Sequence, residues 1–219
     1  MEEPLQEVIS KRTYREYAKL CRRGLKAVLL DIENICEDYE PDDTIDVDDE
    51  DLDDIDMDNN YNGFIITSRV KKFKSVVKKC RKKGYPATLD GIATNIQDIA
   101  GIRILAPTLT DVNRIREEIY AEFEVITEDD YIESPKPSGY RSLHLVIKKQ
   151  VRYKKVKKSV AVEIQIRTYA QHGWSYIERE AVYGNPNPSD EIRQKLIDRS
   201  KSVLEFDNEM DAIFHDFDD

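Results

Sequence analysis

Val160-Ala161-Val162-Glu163-Ile164-Gln165-Ile166-Arg167 is the stretch on which the fold class turns. Side chains alternate between the two faces of a strand. Val160, Val162, Ile164 and Ile166 therefore share an apolar face, and Ala161, Glu163, Gln165 and Arg167 share the other. A face reading Glu, Gln, Arg is not a simple core face. It is either solvent-exposed or it lines a cleft built for polar ligands. Preceding this strand, a polar hairpin leads back to an apolar strand at residues 143–148 and a Pro/Gly/Ser-rich loop at 134–139. Further strands fall at 123–127 and 101–106, with a helix capped near Thr110 running to about Ala121 between them. A basic helix over about 74–83 stops at Gly84, with Pro86 close behind. After the strand come two helices, 168–182 and about 190–214, separated by Gly184-Asn185-Pro186-Asn187-Pro188. Near the start, Tyr17, Leu20, Cys21, Val28, Leu29, Ile32 and Ile35 recur at helical spacing, which predicts an amphipathic helix over about 13–36. Hairpins mixed with helices predict an α+β domain: a mixed sheet flanked by helices, with additional N- and C-terminal helices.

The net charge of −10 conceals two populations. Residues 37–60 hold 14 carboxylates and no Lys or Arg, and without them 34 basic side chains face 30 acidic ones. The body is thus mildly cationic. Its basic groups cluster in Lys71–Lys83, with 8 of 13 residues, and Lys148–Lys158, with 7 of 11. Such polarity suits a phosphate-rich ligand. The acidic run reads as a loose, flexible segment, because its charges repel one another; a Ca²⁺ loop would need the EF-hand register and its Gly, which are missing. No run of 18 apolar residues occurs and the first residues lack an apolar signal core, so neither membrane nor secretion is expected. Three widely spaced cysteines, Cys21, Cys36 and Cys80, fit a reducing, cytoplasmic setting better than disulfides or a metal site.

Two carboxylates stand beside apolar strand-like runs, Asp98 ahead of Ile99–Arg103 and Glu163 within the strand quoted above. On neighbouring strands such a pair can hold one Mg²⁺ that keeps its other positions for phosphate oxygens and water. The loop Asp130–His144 places Lys136, Arg141 and His144 around Gly139 and can wrap phosphates. Tyr140 is either a stacking platform for a base or a buried core aromatic.

Three segments, DIAGIRI (98–104), DDYIESPKPSGYRSLH (129–144) and VEIQIRT (162–168), resemble the signature segments of RelA/SpoT-type alarmone synthetase domains, in order and spacing. SRVKKFKSVVKKCRKKG (68–84) is similar to the family's ATP-phosphate-binding helix, and the likeness spans about residues 65–180. The resemblance implies a nucleotidyltransferase-like fold and a cytoplasmic, Mg²⁺-dependent enzyme of the small alarmone synthetase kind. Its reaction would move pyrophosphate from ATP to the 3′-hydroxyl of GDP or GTP. By position, Asp98 and Glu163 would hold Mg²⁺, and Glu163 would also be the general base. Arg69 and Arg103 would embrace adenine, with Lys71 and Lys79 on the ATP phosphates. Tyr140 would stack on guanine, and Lys136, His144, Gln165 and His172 would complete the acceptor site. Three positions depart from the family pattern: His172 for Asn or Asp, Arg179 for His, and Tyr183-Gly184 for Tyr-Lys. These bear on guanine selectivity rather than on transfer.

The same resemblance leaves two other activities open, a toxic relative that modifies the 3′ end of tRNA and a non-catalytic nucleotide- or RNA-binding module. The second basic block is a solvated edge hairpin or a nucleic-acid contact. An alarmone hydrolase is disfavoured by only three His (His144, His172, His215). The division expected is an N-terminal helix (1–36), the acidic segment (37–60), the synthetase domain (61–183) and a C-terminal helix with an acidic tail (184–219). The stripe Ile192, Leu196, Val203, Met210, Ile213 suits association into a homo-oligomer, a tetramer by family habit, or packing on its own domain.

Overall fold

Strand and helix boundaries in the computed structural model follow the sequence periodicities, with the strands running longer than expected. The structure describes residues 9–37, 59–61, 63–183, 185 and 188–216. The acidic run from 38 to 58 and the His215 side chain lie outside what is described. In chain order the elements are α1 (Lys11–Glu37), β1 (Asn59–Tyr61), β2 (Phe64–Val70), α2 (Phe73–Lys83), α3 (Leu89–Asn95), β3 (Ala100–Ala106), α4 (Leu109–Glu122), β4 (Glu124–Asp130), β5 (Leu143–Tyr153), β6 (Val156–Thr168), α5 (Tyr169–Glu178) and α6 (Asp190–Asp216). Helix α5 runs on into a π-helical turn, Arg179–Tyr183.

The strands form one six-stranded sheet in the order β1-β2-β3-β6-β5-β4. Pairing is antiparallel throughout except at the centre, where β3 and β6 run parallel; this is what makes the sheet mixed. Strands β1 and β2 and the short helix α3 go beyond the sequence reading, which puts Asn59 and Asn60 of β1 in the acidic segment. Seven residues with a Gly give α3 too little periodicity to register, and it is set by Thr88, whose side chain accepts from the Gly91 amide.

Register sets the core in rows across the sheet. Ile104, Ile166 and Leu143 align, as do Ile102, Ile164 and Leu145, then Ala100, Val162 and Ile147. Helix α1 covers this face with Tyr14, Cys21, Leu25, Val28 and Ile32, all buried. Each such aliphatic contributes about 1.5–3 kcal/mol on burial. Gly24 is required there, because a Cβ would come within 2.8 Å of the Val160 Cβ. The three cysteines are buried and none is in a disulfide among the described residues. Among the described residues, no helix is long and apolar enough to cross a membrane.

The basic hairpin resolves into β5, a two-residue turn and β6. Lys154 and Lys155 both adopt left-handed backbone, at φ 48° and 66°, as a tight turn matched to strand twist demands. Helix α1 braces it: Lys149 pairs with Asp31 at 2.5 Å, Lys154 with Glu16 at 3.2 Å, and Arg23 donates to the Arg152 carbonyl at 2.9 Å. Left-handed backbone costs a non-glycine residue about 1–2 kcal/mol. Replacing Lys154-Lys155 by Asn-Gly should therefore stabilise the protein by about 1 kcal/mol, read as a Tm rise of a few degrees. An unchanged or lower Tm would contradict this.

Candidate active site

The face of the sheet opposite α1 carries the polar residues, and strand register again decides who meets whom. One row aligns Thr67, Arg103, Gln165, His144 and Asp129; the next aligns Arg69, Gly101, Glu163 and Val146. Of the two readings of the Glu-Gln-Arg face, the structure realises the cleft. It has a volume of about 800 Å³ and is lined by Arg69, Lys79, Asp98, Arg103, Lys136, Tyr140, His144, Glu163, Gln165 and His172. Of the residues anticipated for a site, Lys71 and Arg141 are not on its wall; Lys71 sits against Asp98 instead.

Glu163 is the hub. Gln165 Nε2 donates to its Oε2 at 2.8 Å, and His144 Nδ1 stands 3.6 Å from its Oε1. Arg103 donates to Gln165 Oε1 at 3.3 Å, and Tyr140 Oη lies 2.9 Å from His144 Nε2. Burial pushes the Glu163 carboxyl up, but His144 and the Gln165 amide outweigh it and hold it below the usual glutamate range. Glu163 is therefore a carboxylate at neutral pH, able to accept a proton or bind a cation.

Asp98 occupies the turn between α3 and β3. Lys71 and Lys79 both pair with its Oδ2, the latter at 2.9 Å. Burial works against ionisation of Asp98, and the two ammonium groups overcome it, leaving its pKa below the ordinary value. Its Oδ1 is buried without a hydrogen-bond partner. Lys71 is fixed by its backbone, whose amide donates to Ile99 at 2.7 Å and whose carbonyl accepts from the Tyr14 hydroxyl. Among the described residues no three His, Cys, Asp or Glu side chains gather as a metal cage. A pair of carboxylates, one with an unpartnered oxygen, fits a divalent ion that takes most of its ligands from phosphate and water.

The loop between β4 and β5 builds an aromatic corner. Lys136 Nζ lies 4.1 Å from the Tyr131 ring centroid and 4.9 Å from that of Tyr140. The His144 ring meets Tyr131 and Tyr140 edge-on, at 5.2 and 5.8 Å. Tyr140 is half-buried and lines the cleft, so it is a wall of the site and not a core residue. Arg141, anticipated as a phosphate contact, instead points inward: it is buried and donates to the Ile132 carbonyl and to Ser200.

The cleft also takes in residues the sequence reading does not assign to a site, Arg167, Glu178 and Tyr131 among them. Arg167 was legible in principle, since it follows Glu163 and Gln165 at a spacing of two. It is 3% exposed, its Nε has no hydrogen-bond partner, and burial, then the repulsion of Arg103, brings its pKa down to about 10. His172 stands among Arg167, Arg103 and Arg179. Burial first, then these charges, push its pKa down to about 4, so it is neutral at physiological pH, and its Nδ1 lacks a partner. Buried nitrogens on Arg103, Arg167 and His172 find no hydrogen-bond partner within the protein.

Comparison with known proteins places this geometry. The profile described as "Region found in RelA / SpoT proteins" matches residues 68–187. The chain is 38% identical over 151 residues to GTP pyrophosphokinase YjbM of Bacillus subtilis, covering 68% of this chain and 70% of the relative. It is 35% identical over 146 residues to GTP pyrophosphokinase YwaC of the same organism, covering 66% and 68%. The crystal structure of small alarmone synthetase 1 from Bacillus subtilis, bound to its product pppGpp, superposes with a TM-score of 0.75 at 29% identity, covering 95% of this chain and all of that one. The profile spans more than half of the chain and these relatives align over two thirds of their length, so the chain belongs to the RelA/SpoT family as a member of its alarmone synthetase branch.

Proposed function

We propose that this protein transfers pyrophosphate from ATP to the 3′-hydroxyl of GDP or GTP, with Mg²⁺ as the divalent ion. The observation carrying this reading is the placement of two ionised carboxylates in one cleft, Asp98 with Lys71 and Lys79, and Glu163 with the His144–Tyr140 corner. Bound Mg²⁺ on Asp98 and Glu163 would neutralise phosphate charge and polarise the transferred group. Lys79 neutralises the ATP phosphates, Lys71 holds Asp98 in place, and Arg69 and Arg103 flank the adenine. Tyr140 stacks on the acceptor base while Lys136, His144, Gln165 and the neutral His172 orient the acceptor. Glu163 takes the proton of the 3′-hydroxyl as its oxygen bonds to the β-phosphorus of ATP. The bond from that phosphorus to the α–β bridging oxygen breaks and AMP leaves. Positioning and charge neutralisation do most of the work in such transfers.

Incubation with γ-labelled ATP and, in parallel, GMP, GDP, GTP or bulk tRNA tests the reading. Label on GDP or GTP is the expected result; label on tRNA alone would replace it with the tRNA-modifying activity, and no labelled acceptor would refute transfer. Tyr140→Ala should weaken GDP binding roughly 5- to 150-fold, the value of one base-stacking platform, and leave ATP-analogue binding unchanged in calorimetry. Equal weakening of both would contradict the assignment. The proposal extends to a cytoplasmic setting and to self-association through α6, where Phe206, Ile213 and Phe214 are exposed. Sedimentation at increasing concentration checks the latter.

A further inference from the structure

We infer that Ser200, on helix α6 and beyond the matched residues 68–187, is a positioning residue of the acceptor-nucleotide side of the cleft. The inference rests on the reading, proposed above, of the loop bearing Lys136 and Tyr140 as the acceptor side.

That loop closes on itself. The Gly139 amide donates to the Lys136 carbonyl at 2.7 Å, and the Lys136 amide donates to the Tyr140 carbonyl at 3.1 Å. Gly139 holds φ at 90°, a conformation that side-chain-bearing residues rarely adopt. The Gly139 carbonyl accepts from the Ser200 hydroxyl. Ser200 Oγ in turn accepts from Arg141 Nε at 3.3 Å, while the other arm of Arg141 reaches the Ile132 carbonyl at the start of the loop. The hydroxyl of Ser200, a residue 1% exposed, thus ties the Gly139 carbonyl and, through Arg141, the start of the loop to one helix.

Packing enforces the same contact. A Cβ on Gly139 would lie 2.9 Å from the Ser200 Cβ and 3.2 Å from both the Ile197 Cα and a Trp174 ring carbon. Trp174 is itself held by α6, its indole donating to the Leu196 carbonyl at 2.9 Å. Two turns further on, buried Asp207 accepts from Thr168 at 2.9 Å and from Gln171 at 3.0 Å, fixing the start of α5, the helix that carries His172. Helix α6 therefore braces both walls around the acceptor side. Among the described residues, it makes no hydrogen bond or ion pair to Arg69, Lys71, Lys79 or Asp98. Loosening it at Ser200 should disturb one substrate and spare the other.

Ser200→Ala leaves a buried carbonyl and a buried guanidinium nitrogen unsatisfied without adding bulk. Calorimetric titration of the full chain should show GDP binding weakened roughly 5- to 50-fold, with the Kd of a non-hydrolysable ATP analogue within about twofold of wild type. The KM for GDP should rise while kcat at saturating GDP is largely kept. Val203→Ala, at a half-buried position on the same helix whose apolar side chain can make no hydrogen bond to the loop, serves as the control for general loosening of that helix. The proposal is overturned if the two nucleotides weaken together, if neither weakens, or if Val203→Ala raises the GDP Kd as much. Wild-type protein that fails to bind GDP would instead overturn the acceptor reading, and this inference with it.

Discussion

Glu163→Gln is expected to abolish pyrophosphate transfer while leaving the fold in place. The substitution is nearly isosteric, and a glutamine carbonyl can still accept from the Gln165 amide that reaches Oε2 at 2.8 Å. What is lost is the negative charge that His144 and Gln165 keep on this carboxyl at neutral pH. Without it, no group at that position takes the proton of the acceptor hydroxyl, a contribution of roughly 10²- to 10⁴-fold by itself. Weakened hold on the divalent ion adds to the loss. The Tm should change by no more than a few degrees, because removing a half-buried charge also removes its desolvation cost. Transfer within tenfold of wild type, measured with labelled ATP and GDP, would sink the assignment of Glu163.

Asp98→Asn should cost both activity and stability. Lys71 and Lys79 converge on this carboxylate, and the Lys71 and Asp98 side chains are only 18% and 19% exposed. Two ammonium groups then face each other across a neutral amide, a penalty of about 1–3 kcal/mol for partly buried charges that lose their partner. The fall in transfer should match or exceed that of Glu163→Gln, since a phosphate-side metal ligand disappears. Manganese relaxation with a non-hydrolysable ATP analogue gives a readout apart from turnover: metal bound in the ternary complex should drop in Asp98→Asn. The pH dependence carries a definite sign. Because folding lowers the Asp98 pKa, its contribution is present above about pH 4 and vanishes as pH falls through the lowered folded value. Wild type and Asp98→Asn should accordingly converge in stability under acid. Equal Tm for the two proteins at pH 7 would show that the lysine pairing adds nothing to folding.

Much of this molecule can be read from its amino-acid order, since helices and strands leave periods in sequence. Strand β6 alternates so cleanly that its two faces, apolar Val160 to Ile166 and polar Glu163 to Arg167, follow from chain geometry alone. Helix α2 ends at Gly84 because the left-handed cap there, φ 71°, wants a glycine. Motif order likewise exposes Asp98, Glu163 and Tyr140, because chemistry that binds phosphate and bases needs those residue types. Periodicity carries no information about partners distant in sequence. That β3 lies parallel to β6, bringing Arg103 beside Gln165, depends on long-range packing over the core. So does the inward turn of Arg141, which finds Ser200 59 residues away. Glu178 becomes a site residue only when α5 folds back over the sheet, and Lys71 is withdrawn from the wall by its pairing with Asp98. By itself the sequence determined most of the elements, the sheet's two faces and the chemical character of the site, which are encoded locally. Tertiary structure alone decided which polar groups are satisfied within the protein and which, like the buried nitrogens of Arg103, Arg167 and His172, are not. The reason is that desolvation and pairing are properties of the packed environment and not of any residue.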